Sequence, residues 1–318
     1  MCGFKNFAIA GAGNFGQISA EELLRRKDAD EIYSVAIMTH TARSHEDLGA
    51  KGAKIILVDY SSSSSLNAAL SDINIDVVLS CIPETCGEKG LAEPAKEAGV
   101  KLIVPSDYAS DPVEQTEDHP LYRSRAWMKQ TRKELELPYT VFCTGMFSDM
   151  VLGPEYSGFL GFTFAKGEFT IPGSGTAPIS WTSSTDIARF VGHVLVNLPR
   201  EKLEWRIFRI EGDRISLDEI VSVWEKHSGK AATVSHRPRT TFEEAVQMNA
   251  TDFISLFILT LDDGLMTVGN SGDLSNSDYP GWKSKEVINV LQRFNLHGLF
   301  EVLRARTSPA QQLLLQKV

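Results

Sequence analysis

Three glycines near the amino terminus have the spacing of a phosphate-binding loop. The segment Gly11-Ala-Gly13-Asn-Phe-Gly16 matches G-x-G-x-x-G, directly follows the apolar run Phe7–Ala10 and opens a helical pattern that extends to Lys27. In this context the first glycine permits a tight turn, the second lets the backbone approach a pyrophosphate, and the third allows close helix–strand packing. A dinucleotide diphosphate would then face the free N–H groups of the helix, and the alternative is a glycine turn that binds nothing. The predicted contacts are Gly11, Gly13, Asn14, Phe15 and Gly16.

The residues after the second predicted strand, Ile32–Met38, indicate which dinucleotide would bind. A carboxylate at this place would hold the ribose hydroxyls of NAD, but the segment from Thr39 to Arg43 has none. Arg43, together with His40, could instead receive the 2′-phosphate of NADP, because a guanidinium binds phosphate oxygens in pairs. The expected cofactor is therefore NADPH rather than NADH, although Arg43 is also compatible with a solvated loop position. Thr39 is the third predicted contact at this end of the cofactor.

The charge balance limits the classes of partner. The chain has 318 residues and a formal net charge of −9 at pH 7. Direct binding to nucleic acid needs a cationic surface that displaces counterions, so this balance argues against it, and it argues equally against an anionic membrane surface. No apolar run approaches the ~20 residues that span a bilayer. We expect a small-molecule substrate as the partner, and a monomer or homodimer as the assembly.

The cysteine content indicates the compartment. Four cysteines are too few for a disulfide framework in a chain of this length. Cys81 and Cys86 lack the second Cys or His pair that a zinc site requires, so we expect no metal. The amino-terminal segment also lacks the pattern of a secretory signal. These features favour a reducing, cytoplasmic compartment.

The first half of the chain alternates short apolar strands with helical segments. This alternation predicts a parallel sheet covered on both faces, which is the α/β, Rossmann-type, doubly wound arrangement. We assign residues 1–150 to a dinucleotide-binding domain of this kind. The predicted strands are residues 7–10, 32–38, 54–58, 76–80, 101–104 and 139–143, and the helices include 14–27, 88–98 and 121–135.

The second half, residues 151–318, predicts a smaller lobe that binds substrate, although residues 183–210 are expected to return to the first domain. Ser184 or Thr185 is a candidate helix cap, and Ser216 is another. The remaining predicted elements are two short strands within 159–171, a helix over 217–227, helical structure over 240–266, a loop over 269–281 and terminal helices over 284–294 and 299–306.

Several further segments carry a family resemblance. They are Val58-Asp-Tyr60, Ala95-Lys-Glu-Ala-Gly-Val-Lys101, Val104-Pro-Ser-Asp-Tyr108, and Leu137-Pro-Tyr-Thr140 followed by Thr144-Gly-Met-Phe147. With the glycine loop they resemble the NmrA-like and isoflavone-reductase-like family of atypical short-chain dehydrogenases/reductases, over nearly the whole chain. Members of the reductase branch use NADPH to reduce a small, often aromatic substrate, so the resemblance implies the same activity here.

The resemblance also implies a lysine that protonates or polarises the substrate, in the helix before Pro138. The matching position is Arg125, and Lys129 lies one helical turn further along the same face. Arginine stays protonated near neutral pH and cannot donate a proton as lysine does, but it could polarise a carbonyl or orient an anion. Both registers remain open, and Arg125 could equally form an ion pair on the outer face of the helix.

Tyr122 and Ser106 are further candidates for stabilising charge on a reduced carbonyl. Tyr122 would act as an acid if a neighbouring cation lowered the pKa of its phenol, and is otherwise a packed helix residue. Ser106 follows the fifth strand at its carboxyl end, where ligands lie in open α/β sheets. The other predicted cofactor contacts also follow predicted strands, and they are Asp59, Cys81, Pro105, Ser106, Thr144 and Phe147.

Apolar and aromatic side chains beyond the fifth strand could line a substrate pocket, although such side chains are more often part of the core. The candidates are Tyr108, His119, Met146, Phe147, Phe162 and Trp181.

Three functions are consistent with these residues. The preferred hypothesis is an NADPH-dependent reductase of a small, mostly apolar carbonyl, enone or aromatic compound, in which the cofactor carries the difficult chemistry. The first alternative is a regulator that senses NAD(P) and binds a protein partner without turnover, and the absence of the lysine would not harm it. The second alternative is a non-redox isomerase or cyclase on the same fold.

Overall fold

Short strands alternate with helices along the first half of the chain. The computed structural model describes residues 3–41, 45–71, 74–82, 88–111, 131 and 133–295. The strands are β1 (Asn6–Ala10), β2 (Ser34–Thr39), β3 (Lys54–Leu57), β4 (Val77–Ser80), β5 (Leu102–Val104), β6 (Thr140–Cys143), β7 (Met146–Phe147), β8 (Phe162–Thr163), β9 (Glu168–Pro172), β10 (Ile179–Thr182), β11 (Arg206–Arg209), β12 (Asp213–Ile215) and β13 (Thr233–Arg237). The α-helices are α1 (Asn14–Asp28), α2 (Glu46–Ala50), α3 (Ser63–Ser71), α4 (Ala92–Glu97), α5 (Ser148–Val151), α6 (Ser184–Asn197), α7 (Leu217–Ser228), α8 (Arg239–Met248), α9 (Phe253–Asp262) and α10 (Val287–Asn295).

The central sheet is parallel. Its first five strands are hydrogen-bonded in the order β3-β2-β1-β4-β5. A parallel bridge between Ile103 and Tyr139 continues the sheet to β6, which pairs in parallel with β11. The strand order reverses between β1 and β4, so the carboxyl ends of these strands flank the crevice where a doubly wound sheet binds its ligand. The predicted Rossmann-type α/β fold is confirmed.

Both faces of this sheet are covered by helices. On β1, Phe7 and Ile9 belong to the apolar cluster that includes α1 and α6, whereas Ala8 and Ala10 belong to the opposite cluster with α3 and α4. Successive side chains of a strand point to opposite faces, so a strand between two layers is apolar at every position. This double burial explains why the strands appear in the sequence as continuous apolar runs.

Part of the second half completes the first-half layers. Helix α6 packs against α1, and β11 extends the sheet beyond β6.

The cap of α6 differs from the expectation, because the Ser183 side chain, rather than Ser184 or Thr185, accepts a hydrogen bond from the backbone N–H of Asp186. Ser183 has extended backbone and directly precedes the first helical residue, which is the geometry of an N-cap.

A third apolar cluster forms the C-terminal lobe, by which we mean β7–β10, β12, β13, α5 and α7–α10. The lobe has two small sheets, ordered β12-β10-β7 and β13-β9-β8. The fully buried Trp181 of β10 belongs to this cluster together with residues of α7, α9 and α10. The predicted strand pair within 159–171 is present as β8 and β9, which are antiparallel. Ser216 caps α7 as predicted, in a reciprocal capping box with Glu219.

The helical region 240–266 is broken, which the apolar pattern does not predict. Between α8 and α9, the Asn249 side-chain oxygen accepts hydrogen bonds from the backbone and hydroxyl of Thr251. Such local side-chain hydrogen bonds compete with the backbone hydrogen bonds of a helix, so α8 and α9 are separate helices.

Among the described residues, no helix is both long and apolar enough to cross a membrane. The second terminal helix predicted, over 299–306, lies outside the described residues.

Asp186 joins the end of the described chain to the sheet layers. Its carboxylate is fully buried and accepts hydrogen bonds from the Ser183 hydroxyl at 2.7 Å and the Lys285 backbone N–H at 2.9 Å. The Arg189 guanidinium lies 3.3 Å from the other carboxylate oxygen. Because a buried carboxylate is costly unless it is paired, the segment around Lys285 is held against α6.

Asp76 joins β1 to β4 at the amino-terminal edge of the sheet. One carboxylate oxygen accepts hydrogen bonds from the backbone N–H groups of Lys5 and Asn6, both at 2.9 Å, and the other pairs with the Lys101 ammonium. Burial raises the pKa of Asp76, but the Lys101 hydrogen bond and the two backbone N–H groups outweigh it, so the pKa is below its ordinary value. This carboxylate therefore stabilises the folded state when ionised.

We expect Asp76→Asn to lower the free energy of unfolding at pH 7 by about 1–3 kcal/mol, because the amide cannot replace a charged acceptor. The stabilisation by Asp76 is complete above the unfolded-state pKa of about 3.9 and is lost as the pH falls through the lower folded-state pKa. The difference between wild type and variant should therefore shrink in acid. Urea unfolding at pH 7 and in steps below pH 4 measures this. The exposed Asp28→Asn is the matched control, and a constant difference across the pH range would contradict the role.

Candidate functional site

The glycine loop between β1 and α1 is tightly packed at two of its three glycines. Gly11 has a φ of +84°, which favours glycine, and a β-carbon there would lie 2.5 Å from the Ile82 side chain. A β-carbon on Gly16 would lie 2.0 Å from the Gly11 carbonyl oxygen, so the first turn of α1 can lie this close to β1 only without a side chain at that position. These two glycines set the position of the helix.

Gly13 is different, because no described residue fills the space around it. A β-carbon here would meet no atom of the described residues within 4 Å, and the backbone has an ordinary φ of −68°. Gly13 is the N-cap of α1, no side chain within the described part of the chain caps the helix, and its first turn contains no acidic residue. The open space therefore adjoins uncapped N–H groups at the positive end of a helix, which suits a diphosphate.

The carboxyl end of β2 lies beside this loop. The Met38 carbonyl oxygen accepts a hydrogen bond from the Gly11 backbone N–H at 3.0 Å and another from the Tyr60 hydroxyl at 2.8 Å. The buried Tyr60 ring meets the exposed His40 ring edge-on, with 4.9 Å between centroids. One carbonyl thus anchors both the glycine loop and the side chain that supports His40.

Two more predicted residues lie at this end of the site. Asp59 is exposed, and hydrogen bonds from the Ser61 hydroxyl and backbone N–H hold the pKa of its carboxyl below the ordinary value. The Asp59 carboxylate is therefore ionised at neutral pH. Thr39 is buried, and its hydroxyl oxygen lies 3.3 Å from the backbone nitrogen of Thr41.

The carboxyl ends of β4 and β5 form the other side of the crevice. Cys81 follows β4, and its backbone N–H donates to the Ala10 carbonyl at 2.8 Å, which places it against the glycine loop. Pro105 is buried directly after β5, and Ser106 is half-buried one residue further on. The structure thus brings these predicted residues to the same sheet edge as the glycine loop.

Three aromatic rings connect the glycine loop to the region beyond β5 and β6. The Phe15 ring centroid lies 4.6 Å from that of Tyr108 and 5.1 Å from that of Phe147, both edge-on, and the latter two are 6.5 Å apart. We call these three residues the aromatic triad. Phe15 belongs to the first turn of α1, so the element that presents N–H groups to a diphosphate also packs against two predicted pocket residues.

The loop after β6 is held in place by backbone contacts. The Thr144 backbone N–H donates to the Ala109 carbonyl at 2.9 Å, and the Thr144 carbonyl accepts from the Thr182 hydroxyl at 2.7 Å. Met146 is buried next to Phe147 and pairs with Trp181 in the small sheet. The loop therefore joins the sheet edge to the C-terminal lobe.

Two predicted pocket residues are in the core instead of at an open surface. Trp181 is fully buried and its indole N–H donates to the Ile215 carbonyl, and Phe162 is 1% exposed among other aromatic rings. This placement favours the alternative interpretation of both rings as core, because neither presents surface to a ligand. Five predicted residues lie outside the described residues, so their roles stay predictions, and these are Arg43, His119, Tyr122, Arg125 and Lys129.

The sequence does not reveal that Tyr60 supports the His40 ring and binds the Met38 carbonyl. The sequence shows it only as the residue after Asp59, and its hydroxyl bond to Met38 joins positions 22 residues apart. A buried tyrosine needs a partner for its hydroxyl, but the sequence does not indicate which.

The NmrA-like family model matches residues 7–279 of the chain. This chain belongs to the NmrA-like family. Oxidoreductase BOA1 of Botryotinia fuckeliana is 30% identical to this protein over 243 residues. The aligned segment covers 70% of this protein and 76% of BOA1. Isoflavone reductase homolog P3 of Arabidopsis thaliana is 26% identical over 256 residues, or 76% of this chain and 81% of the relative. The family resemblance carried by the sequence motifs is thereby confirmed.

A solved structure has the same fold as the NmrA-like chain. The binary complex of leucoanthocyanidin reductase with NADPH from Vitis vinifera has a TM-score of 0.72 at 21% identity. The match covers 92% of this chain and 100% of that chain, so the two proteins share their architecture along almost their whole length.

The two glycines that differ in their surroundings should respond differently to alanine. We expect Gly13→Ala to keep the stability of the wild type to within about 1 kcal/mol, since its β-carbon meets none of the described atoms, but to weaken dinucleotide binding at least about tenfold. Gly16→Ala should lower the free energy of unfolding by about 3 kcal/mol, because the Gly11 carbonyl must move. Thermal unfolding and calorimetric titration with NADPH measure the two effects. Unchanged NADPH affinity in Gly13→Ala would show that the open space is not a diphosphate site.

Proposed function

We propose that this protein is an NADPH-dependent reductase of a small, mostly apolar carbonyl, enone or aromatic compound. The observation that carries the proposal is the open, uncapped helix start at Gly13, which lies at the switch point of the sheet and adjoins the aromatic triad. A diphosphate at this place directs one end of a dinucleotide toward His40 and the other toward Tyr108 and Phe147. The oxidoreductase and reductase names of the relatives support the same class of activity.

The preference for NADPH rests on the end of β2. The described residues that end this strand and follow it, Thr39 to Thr41, provide no carboxylate to hold ribose hydroxyls, and His40 is exposed there. Arg43 is the further candidate for the 2′-phosphate. The leucoanthocyanidin reductase of the same fold forms its binary complex with NADPH, which supports this choice of cofactor.

The other end of the site is suited to a flat, apolar substrate. Bound NADPH would supply a hydride there. Tyr108 and Phe147 would provide apolar surface to one side of the substrate, and the half-buried Ser106 hydroxyl would donate a hydrogen bond to oxygen on the substrate. The buried loop around Thr144 would exclude water from this side.

The groups that would polarise and protonate the substrate belong to the predicted helix before Pro138. Arg125 would polarise the substrate oxygen with a fixed positive charge, and either the Tyr122 hydroxyl or the Lys129 ammonium would donate the proton. This division of roles follows from chemistry, since a guanidinium keeps its proton near neutral pH.

The proposal predicts that the protein binds NADPH at micromolar concentrations and binds NADH about tenfold more weakly, because of the missing carboxylate and the 2′-phosphate contacts. Gly13→Asp should abolish binding, since a carboxylate would occupy the diphosphate position. Calorimetric titration at constant salt measures both. If wild type binds neither nucleotide, the reductase proposal and the cofactor-sensing alternative both fail.

Turnover separates the reductase from the alternatives. A screen of quinones, enones and aromatic ketones that follows NADPH absorbance should identify a substrate, and Arg125→Ala should leave NADPH binding unchanged while lowering turnover about 10²-fold. Equal turnover would remove Arg125 from the mechanism. NADPH binding without oxidation by any of these compounds, but with a redox-dependent protein complex, would favour the regulatory alternative. Activity that survives removal of the cofactor would favour the isomerase or cyclase.

A further inference from the structure

A cleft lies at the edge of the sheet opposite the glycine loop. We call it the edge cleft, and the described residues that line it are Lys133, Glu136, Tyr139, Trp205 and Ile207. Tyr139 directly precedes β6 and Trp205 directly precedes β11, so the cleft is at the amino-terminal ends of these parallel strands. The glycine loop follows the carboxyl end of β1, and the length of β6 alone separates the two edges by about 13 Å. The edge cleft is therefore distinct from the proposed cofactor site.

The edge cleft exists because the helical cover of one sheet face ends before the sheet does. Tyr139 belongs to the apolar cluster on the face of α3 and α4, and Ile207 packs against that cluster. Within the described residues β11 is the last strand of the sheet, and its Ile207 is half-buried, whereas the paired Val141 of β6 is buried. The space that remains has a volume of about 680 Å³. Small-molecule sites have volumes of roughly 300–1,000 Å³.

The backbone at Trp205 is strained. Its φ is +63°, in the left-handed region that a bulky side chain rarely adopts, and its N–H donates to the Tyr139 carbonyl at 2.8 Å. The indole is 43% exposed and meets the buried Tyr139 ring edge-on, with 5.3 Å between centroids. Of the three non-glycine residues with positive φ in the described part of the chain, Trp205 and Glu136 both line this cleft. Strained backbone of this kind is concentrated at ligand-binding and other functional sites.

The lining of the edge cleft indicates the class of ligand. Trp205 and Ile207 provide apolar surface that suits a flat ring. Lys133 and Glu136 are exposed and carry opposite charges, so a charged ligand would be attracted by one and repelled by the other. An uncharged hydroxyl can accept a hydrogen bond from an ammonium group and donate one to a carboxylate. A neutral aromatic ring with a hydroxyl group therefore matches all four side chains.

We propose that the edge cleft binds an uncharged, planar phenol, with its ring against Trp205 and Ile207 and its hydroxyl between Lys133 and Glu136. This second ligand site goes beyond the proposed reductase function and does not depend on it. None of the described residues that line the cleft belongs to the glycine loop or to the aromatic triad.

The test uses 2-naphthol as the probe and ¹⁹F NMR of the full chain, with its five tryptophans replaced by 5-fluorotryptophan. Trp205→Phe identifies the Trp205 resonance by its loss. In the wild type, 2-naphthol should shift this resonance with a Kd of about 0.1–1 mM, as expected for a ligand of this size. NADPH alone should leave the resonance unchanged, because the glycine loop lies at the other edge of the sheet.

Matched variants and a charged analogue test the assigned contacts, with Trp205 kept as the reporter. Ile207→Ala should raise the 2-naphthol Kd about threefold, because apolar contact is lost. The control is Leu57→Ala, an exposed apolar residue on β3 at the opposite end of the sheet, which should keep the wild-type Kd. The anion 2-naphthoate has the same rings and should bind at least about threefold more weakly, because its carboxylate loses solvation and is repelled by Glu136. Glu136→Gln should remove this difference, since Lys133 remains.

The opposite results would overturn the proposal. The absence of a Trp205 shift up to the solubility limit of 2-naphthol would show that the edge cleft is not a site for phenols. An unchanged Kd in Ile207→Ala, or an equal rise in Leu57→Ala, would overturn the contact with Ile207. Equal binding of 2-naphthoate to the wild type would overturn the selection for an uncharged ligand. A Trp205 shift caused by NADPH alone would overturn the independence of the two sites. None of these measurements requires NADPH oxidation, so the reductase proposal stands or fails separately.

Discussion

The contact between Gly16 and the Gly11 carbonyl oxygen determines where helix α1 lies over the sheet. A β-carbon at Gly16 would lie 2.0 Å from that oxygen, so the helix can start this close to β1 only with glycine at this position. The close start places the uncapped N–H groups over the crevice between β1 and β4. It also places Phe15 against Tyr108 and Phe147, and α1 against α6. A shift of the helix would alter the glycine loop, the aromatic triad and the packing of the sheet face together.

Both ends of the candidate site contact the glycine loop between β1 and α1. At one end, the Met38 carbonyl joins the Gly11 N–H to Tyr60 and hence to His40. At the other end, Phe15 packs against two residues of the predicted substrate region. Because the loop contacts both, the distance between the proposed adenosine end and the proposed substrate end is set by the elements that hold the loop. A reaction that depends on the alignment of two molecules benefits from such preorganisation.

Local sequence signals predicted the parts of the molecule that local chemistry determines. The glycine spacing, the apolar strands and the Ser216 helix cap are properties of neighbouring residues, and they were recognisable for that reason. The joining of β11 to β6 and the anchoring of Tyr60 at Met38 depend on residues far apart in the chain, and no local pattern identifies the partner. Trp181 shows the same limit, since an aromatic residue in a core has the same sequence signature as one in a pocket. The break between α8 and α9 was missed because the apolar pattern outweighed the Asn249 turn.

The buried Asp186 carboxylate has a consequence for how the protein is made. The sheet that begins at Asn6 needs α6 and β11 to cover and extend it, and α6 in turn needs the Lys285 segment to satisfy its buried charge. Ribosomes add about 5–20 residues per second, so β6 leaves the ribosome roughly 7–30 s before Lys285 does. During that interval the Asp186 carboxylate on α6 lacks the Lys285 backbone N–H that it accepts from in the folded protein. The layers of the amino-terminal half are thus completed only after most of the chain has been synthesised, in contrast to a domain that folds as soon as its own strands emerge.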